Sequence, residues 1–321
     1  MTRKVVAVTG ATGFIGQTLI RSLAAAGLRP RLLIRRYPSG VLPSHDPVEV
    51  VLGDLDDMAS LRKLLAPADA VIHLAGLIKA ADAATFFAAN AGGTEHLLMA
   101  AREVNPRAAF LQISSLAARE PALSPYAASK RAGEDRVAAL AGDRPWAILR
   151  PPAVYGPGDP ATLPLFRAAS LGCVPYPAAP GTRVSLIHVA DLSAAITRLV
   201  QALMMGQAVT PRPIEIDDGH AGGYDWDQIV ATLSTVTGRH VRAIRLPRRL
   251  VSAVAYGNAA MNRLTGRVEV LMPPKVAELY HINWVAQGAG LPAEVGWHPR
   301  FDLETGFRDT LTWYREHSFV T

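Results

Sequence analysis

The side chains of Tyr126 and Lys130 have the clearest chemical potential in this sequence. They stand four positions apart in a Tyr-Ala-Ala-Ser-Lys run that follows Ser124-Pro125. In a helix, a spacing of four places both side chains on one face, one turn apart. Because a neighbouring ammonium group lowers the pKa of a phenol, Tyr126 in such a pair can give and take a proton near neutral pH. The pair predicts a site for proton transfer.

Two serines follow an apolar run that is typical of a buried strand. The run covers residues 109–113, and Ser114 and Ser115 come directly after it. In open α/β sheets, ligands bind at the carboxyl ends of the strands. A hydroxyl at that position can donate a hydrogen bond to a carbonyl oxygen that is being reduced, so these serines are candidates for that role.

A glycine-rich turn near the N-terminus predicts a phosphate site. The run Thr-Gly-Ala-Thr-Gly-Phe-Ile-Gly at 9–16 lies between a predicted strand at 5–8 and a predicted helix at 13–26. Gly10 permits the tight turn, Gly13 lets the backbone approach a pyrophosphate, and Gly16 lets the helix pack against the strand. The helix N-terminus adds N–H donors and the positive end of its dipole. The turn therefore predicts a bound dinucleotide.

The first half of the chain alternates short apolar runs with helical patterns. Strands without polar alternation, separated by helices, predict a parallel sheet covered on both faces, in a Rossmann-type doubly wound α/β fold. The predicted strands cover residues 5–8, 31–34, 48–52, 70–74, 109–113 and 146–150, and the predicted helices cover 13–26, 59–65, 85–103 and 126–141.

The pattern changes after Arg150, where prolines and glycines cluster between positions 151 and 164. A predicted helix at 189–203 and a predicted strand at 214–216 then add one more unit to the sheet. We divide the chain into a dinucleotide-binding Rossmann domain at 1–155, completed by about 184–217, and a smaller mixed C-terminal substrate-binding part at 156–183 and 218–321.

On these motifs the sequence resembles the extended short-chain dehydrogenase/reductases, the NAD(P)-dependent epimerase/dehydratase family. The resemblance continues through Gly-Asp-Leu at 53–55, His-Leu-Ala-Gly at 73–76 and Asn-Ala-Gly-Gly-Thr at 90–94. It implies an enzyme in which Ser115, Tyr126 and Lys130 are catalytic. Together with the glycine turn it implies that these residues bind the cofactor: Gly10, Thr12, Gly13, Phe14, Ile15, Gly16, Asp54, Leu55, Leu74, Ala75, Gly76, Asn90, Tyr126, Lys130, Pro151 and Val154.

The resemblance implies hydride transfer between a nicotinamide cofactor and a carbonyl or alcohol substrate. Two departures argue against a nucleotide sugar: Ala153 stands where many nucleotide-sugar members have Asn, and Val184 stands where they have Arg, with Arg183 one position off. Members similar to 3β-hydroxysteroid dehydrogenases and dihydroflavonol reductases lack those polar groups and accept more apolar substrates. Two alternatives stay open: a nucleotide-sugar epimerase or dehydratase with a retained cofactor, and a non-catalytic dinucleotide-binding sensor or assembly subunit.

Two arginines predict which dinucleotide binds. NAD(H)-binding chains usually hold the adenosine ribose with Asp or Glu about 20 residues past the glycines. No acidic residue occurs here from Gln17 to Ser44, and Arg35 and Arg36 follow the predicted second strand instead. Because arginine offers a rigid fork to a 2′-phosphate, we predict NADP as the cofactor, with NAD as the less favoured option.

Composition and charge limit the expected partners. The 321 residues are 50% hydrophobic, with a formal net charge of +6 and a mean hydropathy of +0.16. The basic residues are scattered, so no nucleic-acid partner is predicted. No apolar stretch is long enough to span a bilayer, so no membrane partner is predicted. The predicted partners are therefore a small-molecule substrate and, by analogy with the family, a second copy of the chain. The homodimer would be built on the helices at 85–103 and 126–141.

Cysteine usage and metal-ligand spacing complete these expectations. Cys173 is the only cysteine in the sequence, so an intrachain disulfide is excluded and a cytoplasmic location is expected. No His, Cys or Asp cluster has metal-ligand spacing, so no metal site is predicted.

Overall fold

The structure is a computed structural model that describes residues 3–37, 48–207, 212–265, 269–287, 290–291 and 295–320. The chain divides into two units. The first comprises residues 1–150, 193–215 and 289–297, and the second comprises residues 151–192, 216–288 and 298–321. In the described part of the chain, no helix is both long enough and apolar enough to cross a bilayer.

Seven parallel strands form the sheet of the first unit. Their order is β11-β6-β5-β4-β1-β2-β3, so the winding direction reverses between β1 and β4. In a doubly wound sheet, the ligand crevice lies at the carboxyl ends of the strands at that reversal. The strands are β1 (Val5–Thr9), β2 (Arg29–Ile34), β3 (Glu49–Leu52), β4 (Ala70–His73), β5 (Ala109–Ile113), β6 (Trp146–Arg150) and β11 (Ile214–Glu215).

Burial explains why these segments pair in parallel. Every residue of β1, β4 and β5 is buried. Strands of this kind need cover on both faces, and helices that connect parallel strands supply it. The predicted Rossmann-type sheet is confirmed, and each of its strands agrees with the prediction to within two residues.

The helices that flank the sheet differ from the prediction at one place. They are α1 (Phe14–Ala25), α2 (Met58–Leu65), α3 (Ala83–Phe87), α4 (Gly93–Val104) and α5 (Pro125–Leu140). The single helix predicted at 85–103 is instead α3 and α4, joined by a π-helical turn at Ala88–Gly92. Hydrophobic periodicity is averaged over a whole helix and does not reveal a one-turn change in hydrogen-bond register.

The second unit has short paired strands and its own aromatic core. β7 pairs with β10, β8 with β12, and β9 with β13. Tyr155, Phe166, Phe307 and Tyr314 pack edge to face at the centre of its core. Its strands are β7 (Ala153–Tyr155), β8 (Cys173–Pro177), β9 (Arg183–Val184), β10 (Leu186–His188), β12 (Arg242–Leu246) and β13 (Asn283–Trp284).

The remaining described helices lie in the second unit, except for one that begins there and continues into the first unit. In chain order they are α6 (Leu163–Ser170), α7 (Val189–Met204), α8 (Trp226–Thr237), α9 (Arg248–Thr265), α10 (Pro273–Leu279) and α11 (Leu303–Glu316), and α7 is the one that spans both units. Val251, Ala255 and Val276 form a separate small core between α9 and α10.

Candidate active site

The glycine turn after β1 lies directly against the loop after β4. Gly10 has a φ of +75°, which glycine adopts without strain, and a Cβ at that position would lie 2.6 Å from the backbone nitrogen of Ala75. A Cβ on Gly16 would collide with the backbone of Gly10 and Ala11. The predicted cofactor residues Gly10, Leu74, Ala75 and Gly76 therefore meet at the winding reversal of the sheet.

The N-terminus of α1 suits a phosphate group. Its N-cap is Gly13, which has no side chain to bind the amides of the first turn, and no acidic residue lies in that turn. Thr12 and Gly13 are exposed, and Phe14 and Ile15 are partly exposed. First-turn amides left without a side-chain cap, at the positive end of a helix dipole, bind anions. The turn thus fits the pyrophosphate of a dinucleotide.

The four predicted cofactor residues that follow β2 and β3 differ in their surroundings. Arg35 and Arg36 are exposed immediately after β2. Asp54 is exposed after β3, where its Oδ1 accepts a hydrogen bond from the amide of Asp56 at 2.9 Å. Leu55 instead packs inward, since a Cβ on Gly93 would lie 2.6 Å from its Cδ1. The side chain of Leu55 therefore serves packing against α4.

Lys130 is a buried amine at the centre of the site. Its Nζ donates a hydrogen bond to the carbonyl oxygen of Ile113, the last residue of β5, at 2.9 Å. A Cβ on Gly76 would lie 3.7 Å from the same Nζ. Burial lowers the pKa of Lys130 to about 8, while the nearby Glu134 carboxylate acts in the opposite direction. The amine therefore lies where the carboxyl ends of β4 and β5 meet.

The first turn of α5 carries Tyr126. Ser124 caps this turn, because its Oγ accepts a hydrogen bond from the amide of Ala127 at 3.0 Å. The Tyr126 ring is partly exposed and packs edge-on against Phe86, with the ring centroids 6.0 Å apart. The predicted helix thus exists with Tyr126 one turn before Lys130.

The two candidate serines have different partners. Ser114 is buried, and its Oγ donates to the Glu134 carboxylate at 2.6 Å. Ser115 is partly exposed, and its Oγ accepts a hydrogen bond from the amide of Ala117 at 3.2 Å, which starts a short 3-10 turn. Its hydroxyl proton is not used by that contact, so Ser115 retains the donor that a substrate carbonyl needs. Ser115 lies two positions after Ile113, whose carbonyl oxygen accepts the hydrogen bond from Lys130.

Asn90 connects the π-helical turn to both the loop after β4 and helix α5. Its Nδ2 donates to the carbonyl oxygen of Leu77 at 3.1 Å and to Ser129 Oγ at 2.9 Å. Its Oδ1 accepts from the Leu77 amide at 2.8 Å. Ser129 Oγ in turn donates to the carbonyl oxygen of Tyr126 at 2.8 Å. Asn90, predicted to bind cofactor, therefore orders the loop around Gly76.

A second buried chain of hydrogen bonds was missed in the sequence. Thr94 Oγ1 donates to the carbonyl oxygen of Asn90 at 2.7 Å, so it accepts from His73 Nε2 at 3.0 Å. His73 Nδ1 then accepts from Thr9 Oγ1 at 2.7 Å, and Thr9 accepts from the Ala75 amide at 3.2 Å. Burial, with a smaller effect of Lys130, lowers the pKa of His73 to about 3, so the ring is neutral.

Glu134 is the other residue that sequence reasoning missed. Its carboxylate accepts two hydrogen bonds from Arg150, from Nε at 2.8 Å and from Nη2 at 2.6 Å. Arg150 also lies 3.5 Å from the Glu215 carboxylate. The sequence did contain a signal for Glu134, because Tyr126, Lys130 and Glu134 are spaced four residues apart and therefore share one helix face.

The last two predicted cofactor residues belong to the second unit. Pro151 directly follows β6, and Val154 lies in the middle of β7, where it pairs with Ile187. The other predicted site residues all lie in the first unit.

Three comparisons place the chain among known proteins. A family model described as the NAD dependent epimerase/dehydratase family matches residues 6–210. The chain is 41% identical to a ceramide reductase of Caulobacter vibrioides over 98% of this chain and 95% of that protein. It is 22% identical to a 3-beta-hydroxysteroid dehydrogenase of Mycolicibacterium neoaurum over 97% and 91% of the two chains.

A solved structure shows the same fold at low sequence identity. The UDP-N-acetylglucosamine 4-epimerase of Bacillus cereus matches with a TM-score of 0.69 and 17% identity, over 97% of this chain and 96% of that one. The glycine turn at the winding reversal and the family model lead to the same conclusion. The chain belongs to the NAD-dependent epimerase/dehydratase family.

Proposed function

We propose that this oxidoreductase uses NADP(H) to reduce the ketone of a ceramide-type lipid to a secondary alcohol. The observation that carries the proposal is the 41% identity to a ceramide reductase over nearly the full length of both chains. A ceramide is an N-acylated long-chain amino alcohol. A hydride acceptor of that class carries a ketone in place of a backbone hydroxyl, so we propose an oxo-ceramide as the substrate.

The first unit contains the groups that this reaction needs. When bound, the nicotinamide supplies the hydride. The ketone must also gain a proton, and Tyr126 is the proposed donor of that proton to the carbonyl oxygen. Ser115 donates a hydrogen bond to the same oxygen, which polarises the carbonyl and stabilises the charge that develops there. One hydride and one proton convert the ketone to the alcohol.

Lys130 prepares Tyr126 for proton transfer. With a pKa of about 8, its amine is mostly protonated at neutral pH. A buried ammonium favours the ionised form of a neighbouring phenol and lowers its pKa. The hydrogen bond from Nζ to Ile113 fixes the amine, while Asn90 and Ser129 hold the backbone of Tyr126.

The surroundings of Arg183 support a substrate other than a nucleotide sugar. Its Nε donates to the carbonyl oxygen of Gly222 at 2.5 Å and its Nη2 to that of Gly223 at 2.6 Å. Its Nη1 lies 3.5 Å from the Asp225 carboxylate. The guanidinium is therefore engaged within the second unit and is not free to take the diphosphate role of the arginine that Val184 replaces.

The assay that tests the substrate compares two classes of compound. Purified protein is incubated with NADPH and an oxo-ceramide in detergent micelles, or with UDP-sugars, and the products are identified by mass spectrometry. We expect the hydroxy lipid from the first incubation and unchanged sugars from the second. Epimerised UDP-sugar without lipid reduction would overturn the proposal in favour of a nucleotide-sugar epimerase.

The proposed preference for NADP(H) rests on Arg35 and Arg36. A charge-assisted contact to the 2′-phosphate contributes about 1.5–3 kcal/mol, or roughly ten- to hundredfold in affinity. We expect Arg35→Ala to lose most of the preference for NADP(H) with little change in NAD(H) binding. Dissociation constants for both cofactors at fixed salt check this, with Arg21→Ala, an exposed arginine of α1, as the control. Equal wild-type affinities for the two cofactors would contradict it.

A further inference from the structure

Helix α9 has two apolar faces, and one of them is exposed. Val251 and Ala255 are buried in the small core with Val276. On another face, Leu250, Val254, Met261 and Leu264 are 53%, 49%, 57% and 82% exposed. Their spacings of four, seven and three residues align them along one side of the 18-residue helix. We call these four residues the exposed stripe.

The segment around the exposed stripe is strongly basic. From Gln228 to Val268 the sequence has no Asp or Glu, but it has arginines at positions 239, 242, 245, 248, 249, 263 and 267. Those at 239, 242, 245, 248, 249 and 263 are exposed. This segment therefore carries an excess of exposed positive charge, and three of its arginines, Arg248, Arg249 and Arg263, lie on α9 itself.

One edge of the stripe carries residues suited to a lipid–water interface. Arg249, Tyr256 and Arg263 are seven residues apart, so they form a row along one side of α9 beside the apolar side chains. All three are exposed. Tyrosine rings lie at the headgroup level of bilayers, and arginine can extend its guanidinium to phosphate groups while its methylenes stay in apolar surroundings.

We propose that α9 docks the protein on the surface of an anionic lipid bilayer. Helices of this type lie in the plane of the interface, with the apolar face buried to about 5–10 Å. The exposed stripe would insert, and the arginines would bind lipid phosphates. Each basic residue near an anionic leaflet strengthens binding about fivefold, so the arginines supply much of the affinity.

A second copy of the chain is the other occupant that such a face could take. A twofold dimer buries the same surface of both copies. Pairing two copies through α9 would bring both arginine rows together, and Glu269, which lines a cavity with Met261, adds one carboxylate per copy against the two arginines of each row. The charge therefore favours an anionic partner over self-association.

This proposal does not rest on the identity of the substrate. It also differs from the prediction of no membrane partner, which considered only spanning segments. The binding test needs neither cofactor nor substrate, so its result and that of the lipid-reduction assay are independent.

Vesicle co-sedimentation of the full chain tests the proposal. We expect binding to vesicles of phosphatidylcholine mixed with phosphatidylglycerol, much weaker binding to phosphatidylcholine alone, and release by high salt. Met261→Gln with Leu264→Gln should weaken binding about tenfold or more, and so should Arg249→Glu with Arg263→Glu. Leu171→Gln and Arg107→Glu, which change exposed residues outside α9, should bind like the wild type.

Circular dichroism and thermal unfolding verify that the variants fold, as expected for exposed positions. Absence of binding to the anionic vesicles would overturn the proposal. So would equal binding by the α9 variants and the wild type. A wild-type dimer in solution that the Met261/Leu264 variant dissociates would assign the stripe to contacts between chains instead.

Discussion

At the scale of single residues, the site depends on burying an amine that would be more stable in water. The pKa of Lys130 falls from 10.5 in the unfolded chain to about 8 in the folded one. Below pH 8 the lysine is charged in both states, and its burial opposes folding in full. As pH rises from about 8 to 10.5, the folded state releases the proton first and this opposition disappears.

We therefore expect Lys130→Met to be more stable than the wild type at neutral pH while losing activity. The gain is about 2 kcal/mol, since about 3 kcal/mol of burial cost is removed and about 1 kcal/mol of hydrogen bonding to Ile113 is lost. Urea unfolding of both proteins between neutral pH and about pH 10 measures it. The difference should shrink as pH rises, and a variant less stable than the wild type at neutral pH would contradict the assignment.

At the scale of elements, close packing between α5 and the π-helical turn holds the candidate site together. A Cβ on Gly133 of α5 would lie 2.8 Å from the carbonyl oxygen of Asn90, closer than van der Waals contact allows. Glycine at this position therefore lets the two helices approach, and the approach permits the hydrogen bond from Asn90 to Ser129.

We expect Gly133→Ala to destabilise the protein by about 1–3 kcal/mol, because the helices must separate. In Gly257→Ala, the matched control in α9, the new Cβ meets no atom within 4 Å. That variant should gain about 0.5–1 kcal/mol from the better helix propensity of alanine. Thermal unfolding of the two variants checks both signs, and equal shifts would refute the packing argument.

Local signals in the sequence predict the elements, but they do not predict the contacts between elements. Apolar runs and glycines located the strands and the phosphate turn, and the four-residue spacing located Tyr126 on a helix. The hydrogen bonds from Thr9 through His73 to Thr94 connect residues that are up to 85 positions apart in the sequence. The π-helical turn is a local change in hydrogen-bond register. No periodicity encodes such bonds. The exposed stripe was not predicted either. A helix with apolar residues on two sides has a sequence pattern that does not show which side is buried and which is exposed.

At the scale of the whole molecule, each unit contains a buried neutral histidine. Burial lowers the pKa of His73 to about 3, and burial with the nearby Arg300 lowers the pKa of His188 to about 4. The unfolded chain binds these protons near pH 6.5, so both units lose stability as pH falls from about 6.5 towards 4.

The expected loss is up to about 1.4 kcal/mol per pH unit for each histidine. Protonation of carboxylates also lowers the stability of the protein as pH falls. To isolate the effect of the histidines, the wild type is compared with a variant that carries His73→Gln and His188→Gln. The midpoint of thermal unfolding should fall less steeply with acidity in the variant. Parallel curves for the two proteins would show that neither histidine is kept neutral by the fold.

In the proposed reaction, hydride passes to the carbonyl carbon of a ceramide-type ketone while Tyr126 supplies the proton. NADPH deuterated at the transferable position of the nicotinamide, incubated with an oxo-ceramide, tests it most directly. Mass spectrometry should find one deuterium on the carbinol carbon of each product molecule, and Tyr126→Phe should form that product about 10²–10⁴ times more slowly. Alcohol without deuterium, or a wild-type rate from Tyr126→Phe, would contradict the account.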